Sequence, residues 1–111
     1  MALGDDPLCF ALIESQGFLI GRAVAGEAEI LTLAVAAEVQ RLGIGNRLVQ
    51  GFLTEARIRG ASSAFLEVSA QNQPAISLYL QAGFTEVGCR KRYYAQPQDA
   101  PIDALVLSRP L

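Results

Sequence analysis

A chain of 111 residues that is 51% apolar can build one small domain with its own core and no disulfide staples, while a net charge of −2 lacks the surplus of Lys and Arg that nucleic acid as a general partner requires. The sequence has no histidine and only two cysteines, Cys9 and Cys89, which form no metal-ligand or redox spacing. This excludes Ser-His and Cys-His relays, a histidine base and a zinc site, so metal chemistry is not expected and acid–base work falls to Glu, Asp, Tyr, Lys, Cys or the backbone.

Leu8 to Glu14 and Phe18 to Ala25 read as strands joined by a hairpin turn at Ser15-Gln16-Gly17, and Glu29 to Ala36 follows the Gly26 turn as a third. The segment Gln40-Arg41-Leu42-Gly43-Ile44-Gly45 then leads into a helix. Ile44, Leu48, Val49, Phe52, Leu53 and Ala56 share one face of it and Arg47, Gln50, Thr54 and Arg57 the other, with Gly60 as its end. Gly51 inside that helix costs roughly 1 kcal/mol against alanine, so close packing on the sheet is expected there. A fourth strand runs from about Ala64 to Val68, and Asn72 caps a short helix whose first turn tolerates Pro74 and which stops at Gly83. Phe84 to about Arg92 and Ile102 to Ser108 complete the strands, separated by a loop containing Pro97 and Pro101. Strands and helices alternate without linkers or repeats, which predicts one mixed α/β domain spanning residues 1–111.

Several further features are legible. Each cysteine reads as a small buried hydrophobe rather than a reactive thiol. Arg90, Lys91 and Arg92 form the one basic run, either a solvated strand end or a local site for an acidic group. Asp5 and Asp6, with no basic segment ahead of the short apolar run, do not resemble a signal peptide, and no stretch approaches ~18 continuous apolar residues. A soluble cytoplasmic protein without a membrane partner is the expectation. The eight-to-one excess of Arg over Lys hints at a GC-rich bacterial genome.

The glycine segment carries the chemistry. Two glycines keep side chains away from the approach, and the helix that follows aims its unpaired N–H groups and positive dipole end at the same place, a turn suited to phosphate or pyrophosphate. A dinucleotide fingerprint would need G-x-G-x-x-G directly after its strand. Here Leu48 holds the third position, Gly43 comes seven positions after Ala36, and no room remains for a second mononucleotide half, although Glu67 could mimic the ribose-binding acid. A plain helix-opening glycine turn is the other alternative.

The ordered set Glu29-Ile30-Leu31-Thr32-Leu33-Ala34-Val35, Q-R-L-G-I-G, Phe65-Leu66-Glu67-Val68, Asn72, Ala75-Ile76-Ser77-Leu78-Tyr79 and Gly83-Phe84 resembles the GCN5-related N-acetyltransferases. Within them, Arg90-Lys91-Arg92-Tyr93-Tyr94 and Asp103-Ala104-Leu105-Val106-Leu107 look like the ribosomal-protein-alanine N-acetyltransferases, a likeness spanning about residues 17 to 109. The resemblance implies a mixed, mostly antiparallel sheet that splays where acetyl-CoA enters, flanked by helices. It also implies direct transfer of acetyl from acetyl-CoA to a protein N-terminal amine, with a ribosomal protein as acceptor.

On that resemblance Glu67 is the general base, acting through water, and Tyr79 the general acid that protonates the leaving thiolate. The backbone N–H of Val35 serves the oxyanion. Leu33, Val35, Gln40, Arg41, Leu42, Gly43, Ile44, Gly45, Asn46, Asn72 and Tyr79 hold the coenzyme, with Asn72 on the pantetheine arm. Glu67 with Tyr93 and Tyr94 meets the acceptor. The chain departs from the family at Ser69, where a basic residue is common, and at Gln71, where a small one is. It also starts near the family's second strand, without the first strand and helix pair. That predicts an unpaired edge at Leu8 to Glu14, an uncovered sheet face and a homodimer or strand-exchanged assembly. A coenzyme A binding module without turnover and an acetyltransferase for small amines are the competing functions; the Tyr93-Tyr94 pair favours a peptide acceptor, while the lack of the helix pair that walls the substrate groove in the family favours the binding module.

Overall fold

Alternating apolar residues place the strands, and the computed structural model, which describes residues 6–37, 43–94 and 102–111, shows them as one six-stranded sheet. The elements are β1 (Cys9–Glu14), β2 (Gly17–Val24), β3 (Glu27–Val35), α1 (Ile44–Ile58), β4 (Ser63–Ser69), α2 (Gln73–Gln81), β5 (Thr85–Tyr94) and β6 (Ile102–Pro110). Their order across the sheet is β1-β2-β3-β4-β6-β5. Only β3 and β4 run parallel; the other neighbours are antiparallel, as the resemblance implies. Such a sheet is incompatible with a doubly wound dinucleotide fold, whose strands are mostly parallel. Element ends differ from the sequence reading by about two residues, the usual fraying of strand and helix boundaries.

The β2–β3 hairpin turns on Ala25 (φ 53°) and Gly26 (φ 82°), both left-handed, a pairing whose twist matches the strands it joins. The apolar stripe of α1 (Ile44, Leu48, Val49, Phe52, Leu53 and Ala56) is buried as its spacing predicts. It joins Leu19, Ala28, Ile30, Ala64, Leu66 and Val68 of the sheet, and Ile76 and Tyr79 of α2, in a single core. Each large apolar side chain fully buried there contributes roughly 1.5–3 kcal/mol. Phe10 and Phe52 stack with ring centroids 5.8 Å apart. The close packing expected of Gly51 is present: a Cβ there would lie 3.2 Å from Leu12 Cδ1. Gly21 is tighter still, since a Cβ would lie 2.8 Å from Phe10 Cζ and 2.9 Å from Phe52 Cδ1.

The short helix is fixed at both ends. Asn72 Oδ1 accepts a hydrogen bond from the Ala75 N–H at 3.3 Å, the predicted cap, and Arg109 of β6 donates to the Ala82 carbonyl at 2.7 Å.

Two irregularities coincide in β3. Parallel pairing with β4 runs from Glu27↔Ser63 to Ile30↔Leu66 and then stops, although β3 continues to Val35 and β4 to Ser69. On the other side of β3 the register steps from Gly21↔Ile30 to Ile20↔Thr32, leaving Leu31 as an extra residue. Such a bulge bends its strand and resets the alternation of side chains. Ala28 and Ile30 face the core before it, and Leu33 and Val35 after it. β3 thus leaves β4 at the point where it is bulged, and the sheet opens into a slot.

One expectation fails: Cys89 is exposed and Cys9 only half-buried. Cys89 lies on β5, the outer strand at the far end of the sheet from the α1 half of the core. Among the described residues no helix is long and apolar enough to cross a membrane.

Candidate functional site

α1 opens on Gly43, whose φ of 85° would strain any residue with a Cβ, and no side chain caps the helix or puts a carboxylate in its first turn. Among the described residues none therefore supplies an anion to the first-turn amides and the positive end of the dipole. Gly45 brings α2 close, since a Cβ there would lie 3.1 Å from Leu78 Cδ2. Arg47 stands beside the loop, anchored to Glu14 of β1 by Nη2–Oε1 at 2.8 Å and Nε–Oε2 at 3.0 Å. These hydrogen bonds, opposed by some desolvation, hold the Glu14 carboxyl below its ordinary range.

The bent end of β3, the start of α1 and the inner side of α2 enclose a groove of about 660 Å³. Leu33, Val35, Gly43, Gly45, Asn46 and Asn72, six of the residues expected to hold the coenzyme, line it together. Pro74, Ala75, Ser77, Leu78 and Gln81 of α2 complete its wall and were missed in the sequence, where their helical spacing beside Tyr79 was the signal available. The Asn72 oxygen serves the cap, so its amide N–H groups are what it offers a ligand. Apolar walls leading to open amides fit a pantetheine arm that ends in a pyrophosphate.

Other expected residues lie elsewhere. Ile44 is buried beneath the groove as part of the core. Gln40, Arg41 and Leu42 fall outside the described residues, as do the side chains of Tyr93 and Tyr94, which end β5. Tyr79 is buried in the core, 6% exposed, with its ring edge-on to Phe84 at 5.9 Å, and it does not line the groove. Burial pushes its hydroxyl up to about 12. The hydroxyl has no hydrogen bond to a described residue, yet no buried side-chain oxygen among those residues is left unpaired, so the tip of Tyr79 meets solvent.

Glu67 belongs to the opposite side of the sheet. Ala64, Leu66 and Val68 turn into the core, and Phe65, Glu67 and Ser69 face the other way. Glu67 is the first β4 residue beyond the last β3–β4 pair, so it stands at the slot, with the groove on the far side. Arg90 of β5 donates from Nη1 to Glu67 Oε2 at 3.1 Å, and Lys91 Nζ reaches Asp103 Oδ2 at 3.4 Å. Two members of the basic run thus bind acidic groups of the chain itself. Glu29, on the same face as Glu67, has its carboxyl raised, first by burial and then by the Glu67 charge, against the pull of Arg22.

The arrangement has close counterparts. The acetyltransferase (GNAT) family model matches residues 2–84. The [ribosomal protein bS18]-alanine N-acetyltransferase of Escherichia coli strain K12 is 36% identical over 97% of this chain and 74% of its own length. An N-alpha-acetyltransferase of Sulfurisphaera tokodaii is 37% identical over 73% of this chain and 49% of its own. The crystal structure of the ribosomal-protein-S18-alanine N-acetyltransferase from Escherichia coli matches with a TM-score of 0.84 at 32% identity, covering 95% of this chain and 70% of that one. The family model, the sequence relatives and the solved structure agree, and the chain belongs to the acetyltransferase (GNAT) family.

Proposed function

We propose that the chain transfers acetyl from acetyl-CoA to the α-amine of a protein N-terminus, with an N-terminal alanine of a ribosomal protein as the acceptor, by direct attack while both substrates are bound. The observation that carries this reading is the slot: the groove lies on the helix side, Glu67 on the other, and the β3–β4 ladder that would separate them has ended. Acetyl-CoA enters from the helix side with its pyrophosphate at the first turn of α1 and its arm along α2. The acceptor approaches from the side of Glu67, and Tyr93 and Tyr94 remain its candidate contacts by family resemblance.

An α-amino group has a pKa of about 8 and attacks only when neutral, so Glu67 removes a proton directly or through water. The β3 backbone beyond Ile30, with Val35 as its candidate donor, meets the carbonyl oxygen as charge develops there. Tyr79 donates toward the leaving sulfur. A ribosomal acceptor and the bacterial origin of the Escherichia coli relative support a bacterial cytoplasmic setting.

The test is thiol release from acetyl-CoA with a panel of N-terminal peptides and simple amines, alongside calorimetry of coenzyme A. Turnover that prefers an alanine N-terminus is expected. Preference for a small amine would overturn the acceptor, and binding without turnover would mark a coenzyme-binding module.

The reading includes a second copy of the chain. β1 has one sheet neighbour among the described residues, and the cross-strand pair Ile13 and Phe18 beside its free edge is 79% and 40% exposed. Such an edge and patch favour pairing, and we infer a homodimer through β1. Light scattering at micromolar concentration should give twice the chain mass of 11.8 kDa; a sharp monomer mass would refute it.

A further inference from the structure

A base on a strand must be held in place. A glutamate side chain turns about three single bonds, and a reacting group needs its position fixed to about 0.5 Å. The Glu67 side chain is 27% exposed and lacks any capping backbone partner among the described residues. What reaches it is Arg90, two strands away. Ser69 pairs with Ala104 of β6, and Ala104 with Arg90 of β5. The Arg90 guanidinium thus crosses β6 to a residue one diagonal step along β4, and Ala104, with nothing beyond its Cβ, stands in its path without blocking it.

The bond goes to Oε2 alone, which leaves Oε1 for the incoming proton. On the other flank, Glu29 repels the same carboxylate and is itself opposed by Arg22, its cross-strand partner on β2. Arg22, Glu29, Glu67 and Arg90 form a row of charges on the sheet face away from the main core, in which Glu67 is pushed from one side and held from the other.

We propose that Arg90 is a positioning residue of the acetyl transfer: its guanidinium fixes Glu67 by one carboxylate oxygen and aims the other at the acceptor amine. The inference rests on Glu67 as the base. An exposed ion pair is worth about 0–1 kcal/mol to folding, so stability hardly depends on it, whereas a misplaced base loses rate. Arg90 itself is 54% exposed, and its replacement should leave the fold intact.

The experiment is a double-mutant cycle on the full chain with Arg90→Gln, Arg90→Lys, Glu67→Gln and the pair Glu67→Gln/Arg90→Gln, read by thiol release and thermal melting. Arg90→Gln should lower kcat roughly 10-fold with the KM for acetyl-CoA and the melting temperature unchanged, and Arg90→Lys should recover part of the loss. In the Glu67→Gln background Arg90→Gln should cost nothing more, because its effect passes through the carboxylate. Losses that multiply, or a loss confined to the acceptor KM, would make Arg90 an acceptor contact and overturn the proposal. A normal Arg90→Gln beside an impaired Glu67→Gln removes Arg90 alone; a normal Glu67→Gln removes the base, and Arg90's role with it.

Discussion

Glu67→Gln is expected to lower kcat ~10²-fold or more while calorimetric binding of coenzyme A changes little. The loss corresponds to about 2.7 kcal/mol of transition-state stabilisation, well above the about 0–1 kcal/mol that an exposed ion pair with Arg90 gives to folding. Gln keeps the size and hydrogen-bonding reach of the side chain but cannot take a proton, so the substitution isolates the basic function. The split of the sheet explains why binding should be spared. Glu67 is on the face away from the groove, and none of the residues lining the groove is its neighbour on β4. Steady-state thiol release and calorimetry on the same preparation separate the two effects. An unchanged kcat would dismiss Glu67 and turn attention to Glu29, the carboxylate on the same face.

Local chemistry was legible in this sequence and long-range geometry was not. The start of α1 at Ile44, its buried stripe, the Asn72 cap and the tight packing at Gly51 each depend on residues within one helical turn or on the absence of a Cβ, and each follows from the letters. The bulge at Leu31 has no such signal. From Ile30 to Val35 five of six residues are apolar, so the run fits either face, and only pairing with β2 reveals which residue is extra. The exposure of Cys89 depends likewise on the strand order, since a central strand would have buried it. The Arg90–Glu67 bond spans 23 positions in sequence and crosses an intervening strand, so the basic run advertised a charge without its destination. Gly43, Gly45 and Asn46 of the groove could be anticipated from the glycine segment and Leu33, Val35 and Asn72 from the family resemblance; the α2 wall was missed, because its residues gain a role only by facing α1.

Tyr79→Phe should lower kcat by ~10²-fold with the KM for acetyl-CoA little altered, since the ring and its edge-on contact with Phe84 remain and only the hydroxyl goes. How that hydroxyl acts is constrained by its burial. Held at about 12, it stays protonated throughout the working range and offers a donor at every pH where the enzyme is folded. In the proposed role Tyr79 meets the departing sulfur with a hydroxyl that burial keeps protonated. Two consequences follow for pH. The rate should show no alkaline limb from Tyr79 until close to pH 12. Because the folded value lies above the unfolded one of about 10, the neutral phenol contributes stability that is complete below about pH 10 and disappears as pH rises through about 12. A titration of tyrosinate absorbance should show one of the three tyrosines ionising near pH 12, a step absent in Tyr79→Phe. A variant that loses this late step and keeps its full kcat would reduce Tyr79 to a core aromatic and leave the departing thiolate to solvent and the backbone alone.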